Sequence, residues 1–149
     1  MGDRETIANA LRLANGCLQD SELLASAGSR NAAYMAEQAL EQAIRAIATS
    51  EGVHIMRSDA HQLDKIIRNL PDENPTKSHL ATLAWLEAYA TTFRYTSPAG
   101  RIPRSPDAAK LKDALASIKS LIDRLSGHFG VDIGNESEAA ETSFPQRSR

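Results

Sequence analysis

Cysteine occurs once in this chain, as Cys17. That excludes an intramolecular disulfide framework and any cysteine-rich zinc site. Valine occurs only twice, and aromatic residues are few, with three Phe, three Tyr and one Trp. The side chains that favour strands are therefore scarce. No apolar run approaches the roughly 20 residues needed to span a bilayer. Neither sign of charge dominates, since 17 Lys and Arg face 19 Asp and Glu for a net charge of -2. This balance argues against a bulk electrostatic nucleic-acid binder but leaves room for a local basic patch. The opening Met1-Gly2-Asp3-Arg4-Glu5 is charged and has no signal-like apolar core, so a cytoplasmic protein is the default expectation.

What is abundant is alanine, with 24 residues, and leucine, with 15. Both are strong helix formers, so the expected fold class is all-α. A length of 149 residues suits one domain. A chain of that size buries roughly 70% of its unfolded surface and needs no metal or disulfide to stay folded.

Periodicity divides the chain into four longer helices and one short one. The first is expected from about Arg4 to Ala27, with Ile7, Leu11, Ala14 and Leu18 on its apolar face. Asp3 is its expected cap, Asn15-Gly16 a site for a kink, and Gly28 a left-handed stop. The second runs from about Ser29 to Ser50, burying Ala36, Leu40, Ala43, Ile44 and Ile47, and Gly52 ends it. The short third runs from about Asp59 to Leu70, capped by Ser58 or Asp59, with Leu63, Ile66, Ile67 and Leu70 facing inward. The fourth is expected from about Pro75 to Tyr95, with Asn74 as cap and Leu80, Leu83, Ala84, Ala90 and Phe93 facing the core. A loop with three prolines spans 96–106, and Ser105 is expected to cap the fifth helix. Leu111, Leu115, Ile118, Ile122, Leu125 and Phe129 give that helix a bundle seam, and Gly130 ends it. The expected organisation is one helical domain over 1–130 and a polar, disordered tail over 131–149. Short connections favour an up-and-down bundle of four to five helices.

Several side-chain sets suggest chemistry. Arg57 and His61 stand four apart at the start of the third helix, with Ser58 between them. Imidazole titrates near neutrality and can take a 2′-hydroxyl proton, while a guanidinium can hold the scissile phosphate. The pair thus offers metal-independent RNA cleavage. Its other reading is structural, with His61 packing or capping a helix start and Arg57 a solvated loop charge. Between Glu87 and Asp107 there is no acid, while Arg94, Arg101 and Arg104 fall within eleven positions beside Phe93 and Tyr95. Arginines next to aromatics suit phosphate clamping and base stacking. The plainer reading pairs those arginines with acids on neighbouring helices. Glu51 and His54 have the spacing of a metal pair, but Gly52 breaks the helix between them and no second copy exists. No metal ligand set and no cofactor are expected. Glu37 and Glu41 share a helix face four apart and read best as an exposed ridge pairing with Arg45. His79 has no partner motif, Cys17 reads as a small buried apolar residue, and Trp85 fits a core or a dimer interface equally.

The order of motifs along the second, third and fourth helices carries a resemblance. Gln38-Ala39, Glu41, Ala43 and Arg45-Ala46 read QA-x-E-x-A-x-[KR]-A. His61-x-Leu63, Ile66-Ile67 and Leu70 follow, and Arg94-Tyr95 precede the proline-bearing loop. Over roughly residues 5–129 the chain resembles the HEPN domain (higher eukaryotes and prokaryotes nucleotide-binding). The resemblance implies an up-and-down helical bundle, often a homodimer. It also implies work beside a small nucleotidyltransferase, fused or separately encoded; this chain has no Gly-Ser and paired-Asp signature of its own. Some such domains are metal-independent ribonucleases, commonly toxins of toxin–antitoxin pairs, with Arg and His separated by four to six residues. Here three intervene. The expectation is a module binding nucleotide or RNA phosphates through Arg94, Tyr95, Arg101 and Arg104. The alternatives are a ribonuclease using Arg57 and His61, and a ligand-free protein-interaction module. No membrane partner is expected.

Overall fold

A computed structural model describes residues 2–134. Five α-helices carry the fold: α1 (Gly2–Ser26), α2 (Asn31–Ser50), α3 (Leu63–Asn69), α4 (Lys77–Ala81) and α5 (Ala108–Phe129). Three 3₁₀ segments, Arg57–Asp59, Ala84–Tyr89 and Thr92–Arg94, lie between them, and no strand occurs among the described residues. The all-α bundle expected from composition is therefore present.

The frame is the packing of α1 on α2, with α5 laid against both. Two long helices joined by four residues and packed along their lengths must run antiparallel. Alanines make the close approach possible. Ala10 and Ala14 of α1, and Ala32, Ala36, Ala39, Ala43 and Ala46 of α2, are all buried in one core. The Ser21 hydroxyl, itself fully buried, donates to the Ala32 carbonyl at 2.6 Å and ties the two helices. Leu111, Leu115, Ile118, Ile122 and Leu125 of α5 complete that core as the seam predicts.

α1 runs through Asn15-Gly16 without a break. It stops at Gly28, whose φ of 70° is the left-handed conformation that a side chain resists. The Gly28 N–H bonds the Ala25 carbonyl and the Ser29 N–H reaches back to Leu24, which satisfies carbonyls the helix leaves open. α2 ends the same way at Gly52, with Val53 bonding back to Ala48.

Segment 57–95 departs from the expected two helices. α3 begins at Leu63, not Asp59, and neither Ser58 nor Asp59 caps it. Residues 57–62 instead form tight turns, including Gln62 N–H to the Asp59 carbonyl at 2.8 Å. The Asp64 N–H is taken by Glu87 from the facing segment, at 3.1 Å. The long fourth helix is replaced by the five residues of α4 and the two later 3₁₀ segments. Asn74 does act near its start, accepting from the Thr76 N–H at 2.9 Å. The break has a visible cause. Leu80, Leu83 and Leu86 are all buried, and Tyr89 packs against the same core. A three-residue repeat stays on one face only at three residues per turn, whereas in an α-helix it would drift off the core. Thr82 reinforces the tightening by donating its hydroxyl to the His79 carbonyl at 2.6 Å.

Two further boundaries move. Asp107, not Ser105, caps α5, accepting from the Lys110 N–H at 3.3 Å. Val131 and Ile133, expected in the tail, pack against the core. The Arg12 side chain holds the Asp132 carbonyl at 3.0 Å. Residues 135–149, most of the expected tail, lie outside the described residues.

Candidate functional site

The loop after Thr92–Arg94 is held from inside by Arg30, a residue the sequence reading did not single out. Its Nη1 donates to the Phe93 carbonyl at 3.2 Å and its Nη2 to the Pro103 carbonyl at 2.5 Å. Its guanidinium also lies 4.1 Å over the Phe93 ring. Phe93 is in turn edge-on to Tyr89 at 4.9 Å, and Tyr89 to Trp85 at 6.0 Å. Trp85 is half-buried beneath Lys110, whose ammonium sits 4.1 Å over its ring.

This anchoring presents Arg94, Tyr95, Arg101 and Arg104 at the surface, all exposed. Among the described residues none of the three arginines makes an ion pair, so the plainer pairing with nearby acids does not occur. Arg94 stacks on aromatics instead, 4.4 Å from the Tyr34 ring centre and 5.7 Å from that of Tyr95. Beside the loop, a groove of about 700 Å³ opens between the end of α1, the start of α2 and the first half of α5. Ser105 and Pro106 form part of its rim, and its walls carry Arg30, Lys112 and Lys119 against Glu22.

The second cluster sits further along α2. Glu37 is fully buried, contrary to the expected exposed ridge, and no ion pair joins Arg45 to it or to Glu41 among the described residues. Positions 36, 37, 39 and 40 all face inward, because α1, α3, α5 and the two later 3₁₀ segments all pack on this helix. Gln38 Nε2 donates to Glu37 Oε1 at 2.9 Å and approaches Glu41 Oε2 at 3.4 Å. Glu41 Oε2 meets His61 Nδ1 at 2.6 Å. A carboxylate can only accept, so Nδ1 carries the hydrogen, and in the neutral imidazole Nε2 is the remaining acceptor. The His61 side chain is 51% exposed and that of Glu41 13%. Burial, reinforced by the neighbouring Glu41 and by Glu87, pushes the Glu37 carboxyl up to about 10. Glu37 is therefore a neutral acid at pH 7.

Helix α2 relates the two clusters. Tyr34 carries Arg94 and Glu41 carries His61, seven residues apart, with Glu37 and Gln38 between. Seven residues are about two turns, or roughly 10 Å along the axis, on one face. Arg57 lies in the adjoining 3₁₀ turn, exposed and without an ion pair or side-chain hydrogen bond among the described residues.

The remaining candidates are structural. Glu51 accepts from Asn74 at 2.7 Å and His54 is exposed, so that spacing makes no metal pair. His79 gains partners the sequence did not reveal, Ser117 Oγ at 2.6 Å and Arg124 Nη2 at 2.7 Å. Burial first, and the Arg124 charge second, lower its pKa, so the ring is neutral. Arginine only donates, so His79 Nδ1 accepts and Nε2 bears the hydrogen. Such a ring cannot deprotonate Ser117; it ties α4 to α5. Cys17 is half-buried against the core.

Among the described residues no helix is long and apolar enough to cross a membrane. No curated protein and no solved structure matches the chain. The family model for the HEPN domain matches residues 8–128, from the first turns of α1 to the last turn of α5. The helical bundle and that match agree over the whole frame and both clusters, and the chain belongs to the HEPN domain family, helical modules of nucleotide- and RNA-related function.

Proposed function

We propose that this domain binds nucleotide or RNA phosphates through Arg94, Arg101 and Arg104, with Tyr95 as a stacking surface. The observation that carries the reading is the lack of any acidic partner for these three arginines among the described residues. A guanidinium left without a carboxylate, on a loop fixed at both ends, is available for the bidentate contacts phosphates make. The adjoining groove has the volume of a small-molecule site, and its apolar walls with Lys112 and Lys119 suit a base and its phosphates. Work beside a separately encoded nucleotidyltransferase, as a cytoplasmic homodimer and in a toxin–antitoxin setting, belongs to the same reading and rests on family membership.

The test is fluorescence anisotropy with a short single-stranded RNA across a salt series. Wild type should bind most tightly at low salt. Replacing Arg94, Arg101 and Arg104 by Ala together should abolish most binding and flatten the salt slope by about 2, at roughly 0.7 per phosphate contact. Salt-insensitive behaviour, or indifference to the triple substitution, would favour the ligand-free interaction module.

One observation favours ribonuclease activity as a second reading. Glu41 orients the His61 imidazole with its Nε2 outward, as a general base requires. The exposed Arg57 guanidinium on the neighbouring turn would hold the phosphate. The same RNA incubated in EDTA reports on this: cleavage lost in His61→Ala, with DNA intact, would establish it.

A further inference from the structure

We propose that Glu37, Glu41 and His61 form a binding site for one divalent first-row transition ion of the Zn²⁺ or Co²⁺ type. One oxygen of each carboxylate and one ring nitrogen of His61 lie within 4.8 Å of one another. Two come from successive turns of α2, and the third from the turn before α3. Two of the three are therefore fixed on one helix, and the contact with Glu41 holds the third.

The independent sign of a missing ligand is Glu37 Oε2. The side chain is fully buried, and this oxygen has no hydrogen-bond donor. Glu41, the carboxylate beside it, offers no donor; the hydrogen that neutral Glu37 keeps is the positive species now shared with Glu41, and a bound ion would take its place. Buried polar atoms in folded proteins are nearly always satisfied, so an orphan of this kind calls for an occupant. Only a positive species, a proton or a cation, can sit between two carboxylates. Imidazole beside them shifts the choice among metals. An all-oxygen set would suit Mg²⁺ or Ca²⁺, whereas nitrogen with carboxylates suits zinc, cobalt, nickel or iron. Gln38 supports the arrangement, since its amide steers Glu37 Oε1 and leans on Glu41. Access is through His61, half of whose side chain is in solvent, so an ion can enter and keep water on its open side. Glu87, held on the Asp64 N–H, adds a second sphere of negative charge.

The site stands apart from the arginine loop, and neither depends on the other. The test uses full-length protein stripped with EDTA and dialysed free of it. Titration with Co²⁺, followed by its visible absorption, and with Zn²⁺, followed by calorimetry, should show one equivalent bound and a raised melting temperature. His61→Ala and Glu37→Gln should each weaken uptake by about tenfold or more, since even outer partners of metal ligands cost 10–100-fold. His54→Ala should leave uptake unchanged. Circular dichroism in EDTA checks that each variant folds; His61, at the surface, can be cut back without opening the core. No stoichiometric uptake by wild type, or uptake as tight as wild type in both cluster variants, would overturn the site and assign the space between the carboxylates to a proton.

Discussion

The two halves of this domain bury leucines equally well but hold them differently. In the α1–α2–α5 frame, residues such as Leu40 and Ile118 sit in long helices whose backbone bonds are complete. In segment 57–95, Leu83 and Leu86 are as deeply buried, yet they stand on short α and 3₁₀ turns. The frame supplies rigidity, and the segment supplies shape: its turns bring His61 to Glu41 and Arg94 to Tyr34. A continuous fourth helix could not make the tight turns that lead into the arginine loop.

The largest expected effect tests this contrast directly. Leu40→Ala should cost toward the upper end of about 2–5 kcal/mol, because the packed frame cannot close over the cavity. Leu86→Ala, with identical burial, should fall toward the lower end, since short turns can settle inward. Urea denaturation of the two variants measures the difference, and equal losses would erase the distinction.

Glu37 offers the next effect. Its folded pKa is raised to about 10, from an ordinary 4.5. The folded state thus keeps a proton that the unfolded chain releases. The associated stability is complete below about pH 4.5 and is lost steadily as pH rises toward 10, at up to about 1.4 kcal/mol per unit. Glu41, Glu87 and His61 face the same carboxyl and are left in place by the substitution Glu37→Gln. In EDTA, that variant should overtake wild type in stability as pH rises from 5 to 9. Parallel pH profiles of melting temperature would show that Glu37 is not held protonated.

The smallest effect sharpens the role of Arg30. Arg30→Ala should cost about 1–3 kcal/mol, the range for hydrogen bonds from a charged donor. It should also weaken RNA binding although it removes no exposed loop arginine. An unchanged affinity would mean that the loop is positioned without its internal anchor.

Legibility in the sequence followed the regularity of the backbone. The faces of α1, α2 and α5 could be read because 3.6-residue spacing holds over many turns, as in Leu111-Leu115-Ile118-Ile122-Leu125. The fourth region carried a usable signal in Leu80, Leu83 and Leu86, whose spacing of three belongs to a 3₁₀ turn. The proline at either end, Pro75 and Pro98, marks the limits of the region but not the change of pitch inside it. The arginine loop was visible because missing acids leave a gap in the text itself. Glu37 was not, since a glutamate four residues from another looks the same on a solvated ridge as beneath a third element. Only the fold tells that Glu87 and the 57–62 turns cover that face of α2. Arg30 was hidden for a related reason, as its partners are carbonyl oxygens more than sixty residues away, which no side-chain pattern records.

Helix α2 also acts as a gauge between the two clusters. A hydrogen-bonded helix neither stretches nor slips, so the separation of the Tyr34–Arg94 stack from the Glu41–His61 pair is counted in whole residues. One extra residue between positions 34 and 41 would lengthen it by only about 1.5 Å but turn one site roughly 100° away from the other. Phase, more than distance, is what seven residues preserve here.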